Sequence, residues 1–464
     1  MEENDIQDKN YSNDNDNEKD INLIQNTRSN SQQTNNRSWC QRTFGKMGPG
    51  SLRGSIFNIC ILSLGTGLLA IPQKVGYMSV ILSPFIIVLG GIANYLSLSL
   101  LVSMCIKYKV SNYENVVEKL LGHSASVFLG LTMCLNQVGT IILYQVILYK
   151  LIGGVINEFG KYGYNSIEDF AKNSFWNKLW LKFVVCYGIL IFILLPLCLL
   201  KDASKMRYAS TFGILSLFFL IIFIVVESPF YIKKIIIDEK QKLNYYNILK
   251  ELKGDMNFLQ SLVTVLDAVS CHVGTFPVLI TLHNRTQRRQ KKVLRRAMII
   301  DTICFLLVGA CGYLTQPLET PDLIIERKKI FDNDWIMTIG VIGFIITLFA
   351  KISANYNGLR SCILVLLHYE IINFPRKINF AITFIVLITT TFISSVFQSI
   401  SDYFSLMGSF CTVIICYYIP GLVYIKGNDY PLTHYKNIIT VIFITLILAL
   451  GLLSGFFTIK GIVS

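Results

Sequence analysis

Eleven separate stretches of this chain are long and apolar enough to cross a lipid bilayer. A spanning helix needs about 20 mainly apolar residues. The stretches at 53–73, 79–106, 124–156, 179–200, 207–230, 258–282, 294–316, 335–367, 377–397, 403–425 and 437–458 meet that requirement. Inside hydrocarbon every backbone N–H and C=O must be paired within the protein, which leaves helices or a closed barrel; stretches of this length are helices. The composition agrees, with 53% hydrophobic and only 15% charged residues among 464 and a mean hydropathy of +0.52. An all-α polytopic membrane protein follows, with the lipid bilayer as its solvent. The formal net charge of +13 would suggest nucleic acid in a soluble chain. Here it reflects topology, because Lys and Arg are retained on cytoplasmic loops, and no nucleic acid partner is expected.

Other classes are disfavoured by what the residues lack. Most of the twelve Cys lie inside apolar stretches, among them Cys60, Cys105, Cys134, Cys186, Cys304 and Cys416. They read as small apolar filler rather than a disulfide framework. There is no Cys/His metal spacing and no phosphate-binding loop, so neither a metal, a cofactor nor ATP-driven pumping is expected. An integral membrane enzyme would need a catalytic constellation, but His123, His272, His283, His368 and His434 are scattered. Residues 1–50 are rich in Asn, Asp, Ser and Gln. Such a composition cannot bury enough surface to order itself, so the expectation is a disordered cytoplasmic tail without a cleavable signal.

Orientation follows from the short loops. The densest basic run is His283–Arg296, HNRTQRRQKKVLRR, between the sixth and seventh spans, and a second lies at Lys201–Arg207. Both belong inside under the positive-inside rule, which puts the N-terminus inside and the C-terminus outside. The loop at 231–257 is also rich in Lys and falls outside, a contrary signal in a longer loop mixed with acids.

Two spans are interrupted. Gly65-Thr66-Gly67 sits in the middle of SIFNICILSLGTGLLAIP in the first, and Ser270–Pro277 breaks the sixth. Glycine weakens a helix, and non-helical backbone at membrane depth is tolerated only beside protein or a cavity. Close helix packing is the alternative use of such glycines. The third and eighth spans are both unusually long. First and third members therefore recur in two sets of five. Five is odd, so the second set enters from the opposite side. The expected architecture is a five-plus-five inverted repeat with one extra helix. Repeat one occupies 51–232, repeat two 256–426 and the eleventh helix 437–458. The two broken spans would meet near the midplane.

The residues also resemble a known family. FNICILSLGTGLLAIP, NQVGTIILYQVILYKL, LLPLCLLKDASKMRYASTFGILSL, CHVGTFPVLITLHNRTQRR, GYLT at 312–315 and the Arg of NGLRS at 360 resemble, in order and spacing, motifs of the amino acid/auxin permease family, especially its sodium-coupled neutral amino acid transporter branch. The resemblance covers roughly 50–460. It implies a LeuT-type fold and amino acid transport by alternating access. An amino acid carboxylate would then meet the backbone N–H groups of Gly65, Thr66 and Gly67, aided by the helix dipole. Tyr144 matches the family's tyrosine in the third span and could add a hydroxyl. Ser270, Cys271 and Thr275 would line the side-chain pocket.

Three ionisable residues inside spans are functional candidates by position. His272 could carry a proton or could hydrogen-bond freed backbone. Asp267, one turn before the sixth-span break, could receive a cationic substrate or could have a local partner such as a backbone group or Lys. Asp301 lies close to Arg295 and Arg296, which suggests that it faces the cytoplasmic interface.

Lys351 is the fourth. It lies about 16 residues from either end of the eighth span, about 24 Å at 1.5 Å per residue. That is too far for its side chain to reach water, so it should face the bundle interior. The sodium-coupled branch holds its ion with an Asn in the first span and a hydroxyl residue in the eighth. Counting from Asn58 and Gly65, the Asn position here is Ile61. Counting back from Arg360, the hydroxyl falls within Phe349-Ala350-Lys351. Aliphatic Ile61 offers no oxygen, and the Lys351 ammonium could occupy the cation's place or bind and release a proton. The expectation is a sodium-independent amino acid transporter, proton-coupled or facilitative, in the plasma membrane or a vacuolar or lysosomal membrane. The alternative within the same fold is an amino-acid sensor.

Overall fold

The computed structural model describes residues 51–110, 112–164, 166–199, 207–237, 256–282, 285–328, 335–366, 375–397 and 399–463. The tail at 1–50, the basic residues at 201–206, most of the loop at 231–257, and His283 and Asn284 lie outside the described residues. Leu52–Ser464 forms one compact unit. The described chain is helical. Ten helices are long and apolar enough to cross a membrane, or up to eleven spans if the bent pair Leu52–Ser63 and Thr66–Met78 counts as one; those two halves meet at 54°.

The breaks are narrower than the sequence suggests. In the first span only Leu64 and Gly65 leave the helix, and Thr66 and Gly67 begin the second half. In the sixth, Met256–Ala268 stops three residues before His272–Ile280 begins. Each second half carries a proline, Pro72 and Pro277, which cannot donate its backbone bond. The Pro72 ring is accommodated by Gly312 of the seventh span, where an added Cβ would lie 2.6 Å from it.

The long spans, His123–Gly160 and Trp335–Leu366, lie against each other, and the fifth (Arg207–Ile237) packs on the eighth. The second half of the first span packs on the first half of the sixth and on the seventh, Gln287–Thr315. Large apolar side chains such as Phe85, Leu89, Ile92 and Leu96 on one span, and Ile442, Leu446 and Leu453 on another, point outward. That is the expected arrangement where the surrounding solvent is hydrocarbon.

The basic run is helix rather than loop from Gln287 onward. Thr286 caps it by accepting from the Arg289 N–H, as N-cap hydroxyls do. The face carrying Val293 and Leu294 is buried, with Gln290 on the same side, while Arg288, Lys292, Arg295 and Arg296 are exposed. We expect this basic face to be cytoplasmic. A cysteine at Arg288 should react with an impermeant thiol reagent from the cytoplasmic side only; labelling from the other side would invert the topology.

At the opposite face, the segment after the seventh span folds back into the bundle. Leu323, Ile324, Ile325, Glu326 and Arg327 are all buried. Arg327 pairs with Glu227 of the fifth span and stacks 4.1 Å over Tyr231. Asp322 accepts from Gln73 at 2.7 Å and lies 3.9 Å from the Lys150 ammonium. Lys74 donates to Ser401 of the tenth span at 2.5 Å. The first, third, fifth and tenth spans are thus tied together at this end.

Candidate functional site

A broken helix leaves backbone groups without helical partners. The first half of the first span ends with the Leu64 N–H donating to the Cys60 carbonyl at 2.7 Å, and the second half starts with Leu68 N–H on the Gly65 carbonyl at 3.2 Å. Gly65 caps that half without any side-chain bond. The N–H groups of Thr66 and Gly67 therefore belong to an uncapped helix start, the positive end of its dipole. The second half of the sixth span starts in the same manner, from Cys271, again without a side-chain cap.

The Leu64 carbonyl does have a partner, and it comes from the eighth span. Lys351 Nζ donates to it at 3.2 Å. A Cβ at Gly65 would sit 3.0 Å from that ammonium, the movable tip of a flexible side chain, and in ordinary contact, 3.9 Å, with the Tyr144 hydroxyl. Gly67 meets a different neighbour. An added Cβ would lie 2.9 Å from the Cβ and 3.0 Å from the Cα of Ala268. Gly67 is where the two broken spans touch backbone to backbone, the close-packing use of a membrane glycine.

Beside the break lies a cavity of about 190 Å³, lined by Ile61 and Leu64 of the first span, Tyr144 of the third, Leu217 of the fifth, and Lys351 and Asn355 of the eighth. The Tyr144 hydroxyl stands beside the side chains of Thr66 and Asn355. Gly65, Thr66, Tyr144 and Lys351 are therefore neighbours at the break; Tyr144 and Lys351 line the cavity with Ile61 as an aliphatic wall, whereas Gly65, Thr66 and Gly67 are not among its lining residues. Thr347, one turn from Lys351, also lines the cavity, but its hydroxyl is given to the Gly343 carbonyl at 2.9 Å. Asn355 escaped the sequence reading. Its signal is the four-residue spacing from Lys351, which places both on one helix face.

The sixth-span candidates look elsewhere. The Thr275 hydroxyl is fully buried and turns back to the Cys271 carbonyl at 2.7 Å. Ser270 faces Cys416 of the tenth span. His272 Nε2 is 3.0 Å from the Ser97 hydroxyl, which donates to the Cys416 carbonyl. With that proton committed, the imidazole is the donor to Ser97, and its Nδ1 has no partner among the described residues. Asp267 does have a local partner, but it is neither backbone nor Lys: the Thr412 hydroxyl of the tenth span donates to it. None of Ser270, Cys271, His272, Thr275 and Asp267 is among the residues lining the cavity. Asp301 requires a correction. It does not face the interface but is 1% exposed, because it falls on the buried stripe with Leu294, Ala297, Met298, Cys304 and Phe305, while Arg295 and Arg296 point away.

The profile of a family described as transmembrane amino acid transporter protein matches residues 48–464. The chain belongs to the amino acid/auxin permease family. Among its relatives is amino acid transporter AVT6D of Arabidopsis thaliana, 22% identical over 423 residues that cover 87% of this chain and 92% of that protein. AVT6E of the same plant is 23% identical over 286 residues, 61% of this chain and 55% of that protein. The putative amino acid transporter AAT1 of Plasmodium falciparum is 20% identical over 279 residues, 60% of this chain and 42% of that protein. The match to AVT6E thus spans little more than half of that relative's length. The fold is the LeuT type. A manganese transporter of Eremococcus coleocola, solved with an aromatic bis-isothiourea substituted compound, superposes with a TM-score of 0.50 at 13% identity, over 89% of this chain and 87% of that one. The permease family is one of membrane transporters, not enzymes.

Proposed function

We propose that this permease is a sodium-independent amino acid transporter that works by alternating access, proton-coupled or facilitative, with Lys351 as a built-in cation. The reading is carried by one observation, the Lys351 ammonium on the Leu64 carbonyl at the break of the first span. A carbonyl released from a helix at membrane depth needs a donor or a cation. Here a side chain supplies it, and the neighbouring Ile61 has no oxygen for a metal ion. The amino acid carboxylate is assigned to the free N–H groups of Thr66 and Gly67 beside Gly65, with the Tyr144 hydroxyl as a further donor. Its ammonium is assigned to carbonyls of the two breaks. Ser270, Cys271 and Thr275 are assigned to the sixth-span side of the pocket, because the two broken spans touch where Gly67 meets Ala268. His272 and Asp267 serve as hydrogen-bonding anchors to the second and tenth spans.

The test is uptake of a panel of labelled amino acids by the purified protein in proteoliposomes, at fixed pH, with sodium replaced by choline. Unchanged uptake in choline is the expected result. A large fall would return the cation role to sodium. Binding of amino acids without any flux would instead mark a sensor.

A further inference from the structure

We infer that Asp301 is a proton-binding site in the seventh span and that its occupancy is relayed through Ser63 to the end of the first half-helix. The inference rests on the transport reading above and names the coupled ion for it. Asp301 is 1% exposed. One carboxyl oxygen lies 2.5 Å from the Ser63 hydroxyl, and the other is buried with no hydrogen-bond partner among the described residues. Among the described residues the titratable groups around it are three thiols: Cys60 of the first span, Cys271 of the sixth and Cys304 of its own helix. The Cys60 thiol stands within hydrogen-bonding reach of the carboxyl as well as of the Ala297 carbonyl, 3.8 Å away. No ion pair involves Asp301 among the described residues, and Arg295 and Arg296 on its own helix are exposed on another side. A carboxylate in such surroundings lacks the counter-charge that burial demands, whereas a neutral acid needs only one acceptor.

Ser63 is that acceptor, and it has a second neighbour. Its hydroxyl is 3.3 Å from the Cys60 carbonyl, the group that already takes the last helical bond before the break, from Leu64. A serine hydroxyl has one hydrogen to give. When Asp301 is ionised, Ser63 gives that hydrogen to the carboxylate and the Cys60 carbonyl loses it. When one proton binds the carboxylate, the acid donates to Ser63 and the serine hydrogen returns to Cys60. No covalent bond other than O–H forms or breaks, and the proton comes from and returns to water. Ser63 and Leu64 are adjacent, so the break is held on one side by Asp301 through a side chain and on the other by Lys351 through backbone. Proton binding thus changes the bonding of the hinge that alternating access must move.

Infrared spectroscopy of the reconstituted full-length protein across a pH series reads the acid directly. We expect a protonated-carboxyl band that titrates in the wild type, is lost in Asp301→Asn, and shifts in Ser63→Ala, which keeps the acid but cuts the relay. In proteoliposomes a pH gradient should accelerate amino acid uptake by the wild type, fail to do so for Asp301→Asn, and do so weakly for Ser63→Ala. Identical spectra for wild type and Asp301→Asn would overturn the inference. So would an undiminished gradient response in Asp301→Asn, or a wild type that ignores the gradient; sodium-independent transport would survive all three results. Absence of any amino acid flux would refute the transport reading instead, and the spectra would still decide Asp301.

Discussion

Lys351→Met is expected to reduce amino acid uptake by about 10- to 100-fold while leaving the protein inserted and monodisperse. A hydrogen bond from a charged donor contributes about 1.5–3 kcal/mol, and each 1.36 kcal/mol is a factor of ten in rate. Methionine keeps most of the side-chain volume but gives the Leu64 carbonyl no donor, and the unwound backbone loses the group that fixes it. Removing an intramembrane charge also relieves at least about 2.5 kcal/mol of insertion cost, so expression should rise as transport falls. That opposition separates a functional lysine from a structural one. The converse experiment is Lys351→Thr combined with Ile61→Asn. Both side chains line the same cavity, and together they offer oxygens where the native chain has an ammonium and an aliphatic wall. Uptake by this pair should become sodium-dependent. Full activity of Lys351→Met in choline would remove Lys351 from the mechanism.

Gly67→Leu should abolish substrate binding without preventing membrane insertion. The first atom of any side chain there would come within 2.9 Å of Ala268 Cβ and 3.0 Å of its Cα, and backbone cannot step aside as a side-chain tip can. Overpacking of this kind costs about 1–3 kcal/mol. Separating the two half-helices by about 1 Å is enough to cost about 100-fold in a positioned site. Gly67→Ala should give the same defect in weaker form. Gly65→Ala should be milder still, because the atom it meets is the mobile Lys351 ammonium. Equilibrium binding of a labelled amino acid to the three purified variants gives the ranking directly. Wild-type affinity in Gly67→Leu would remove the contact between the breaks from the site.

The spans and both breaks were legible because hydropathy and glycine placement are local properties. What failed was direction. The apolar stretch ends at residue 73, but the helix runs to Met78, and Lys74 is buried against Ser401, a residue 327 positions away. Asp301 differs from expectation for a related reason. Nearness in sequence to Arg295 and Arg296 points to the interface, but its three- and four-residue spacing from Ala297, Met298, Cys304 and Phe305 puts it on the buried stripe. Lys351 was legible because no snorkelling route exists from mid-span. Ser270 and Cys271 were not, since a residue in unwound backbone has no helical period to say where it points.

The stitching around Asp322 sets a difference between the two faces. The Gln73–Asp322, Lys150–Asp322 and Lys74–Ser401 contacts tie the first, third and tenth spans at that end, so separating the spans there breaks them. At about 0.5–1.5 kcal/mol each, they hold the open form of that face at roughly a tenth to a thousandth of the molecules. A ligand arriving there binds only the rare competent fraction, and its apparent dissociation constant rises in inverse proportion. A solute arriving from the basic face does not meet these three contacts. One and the same pocket should therefore look weak from one compartment and strong from the other, without a single change in the residues that touch the solute.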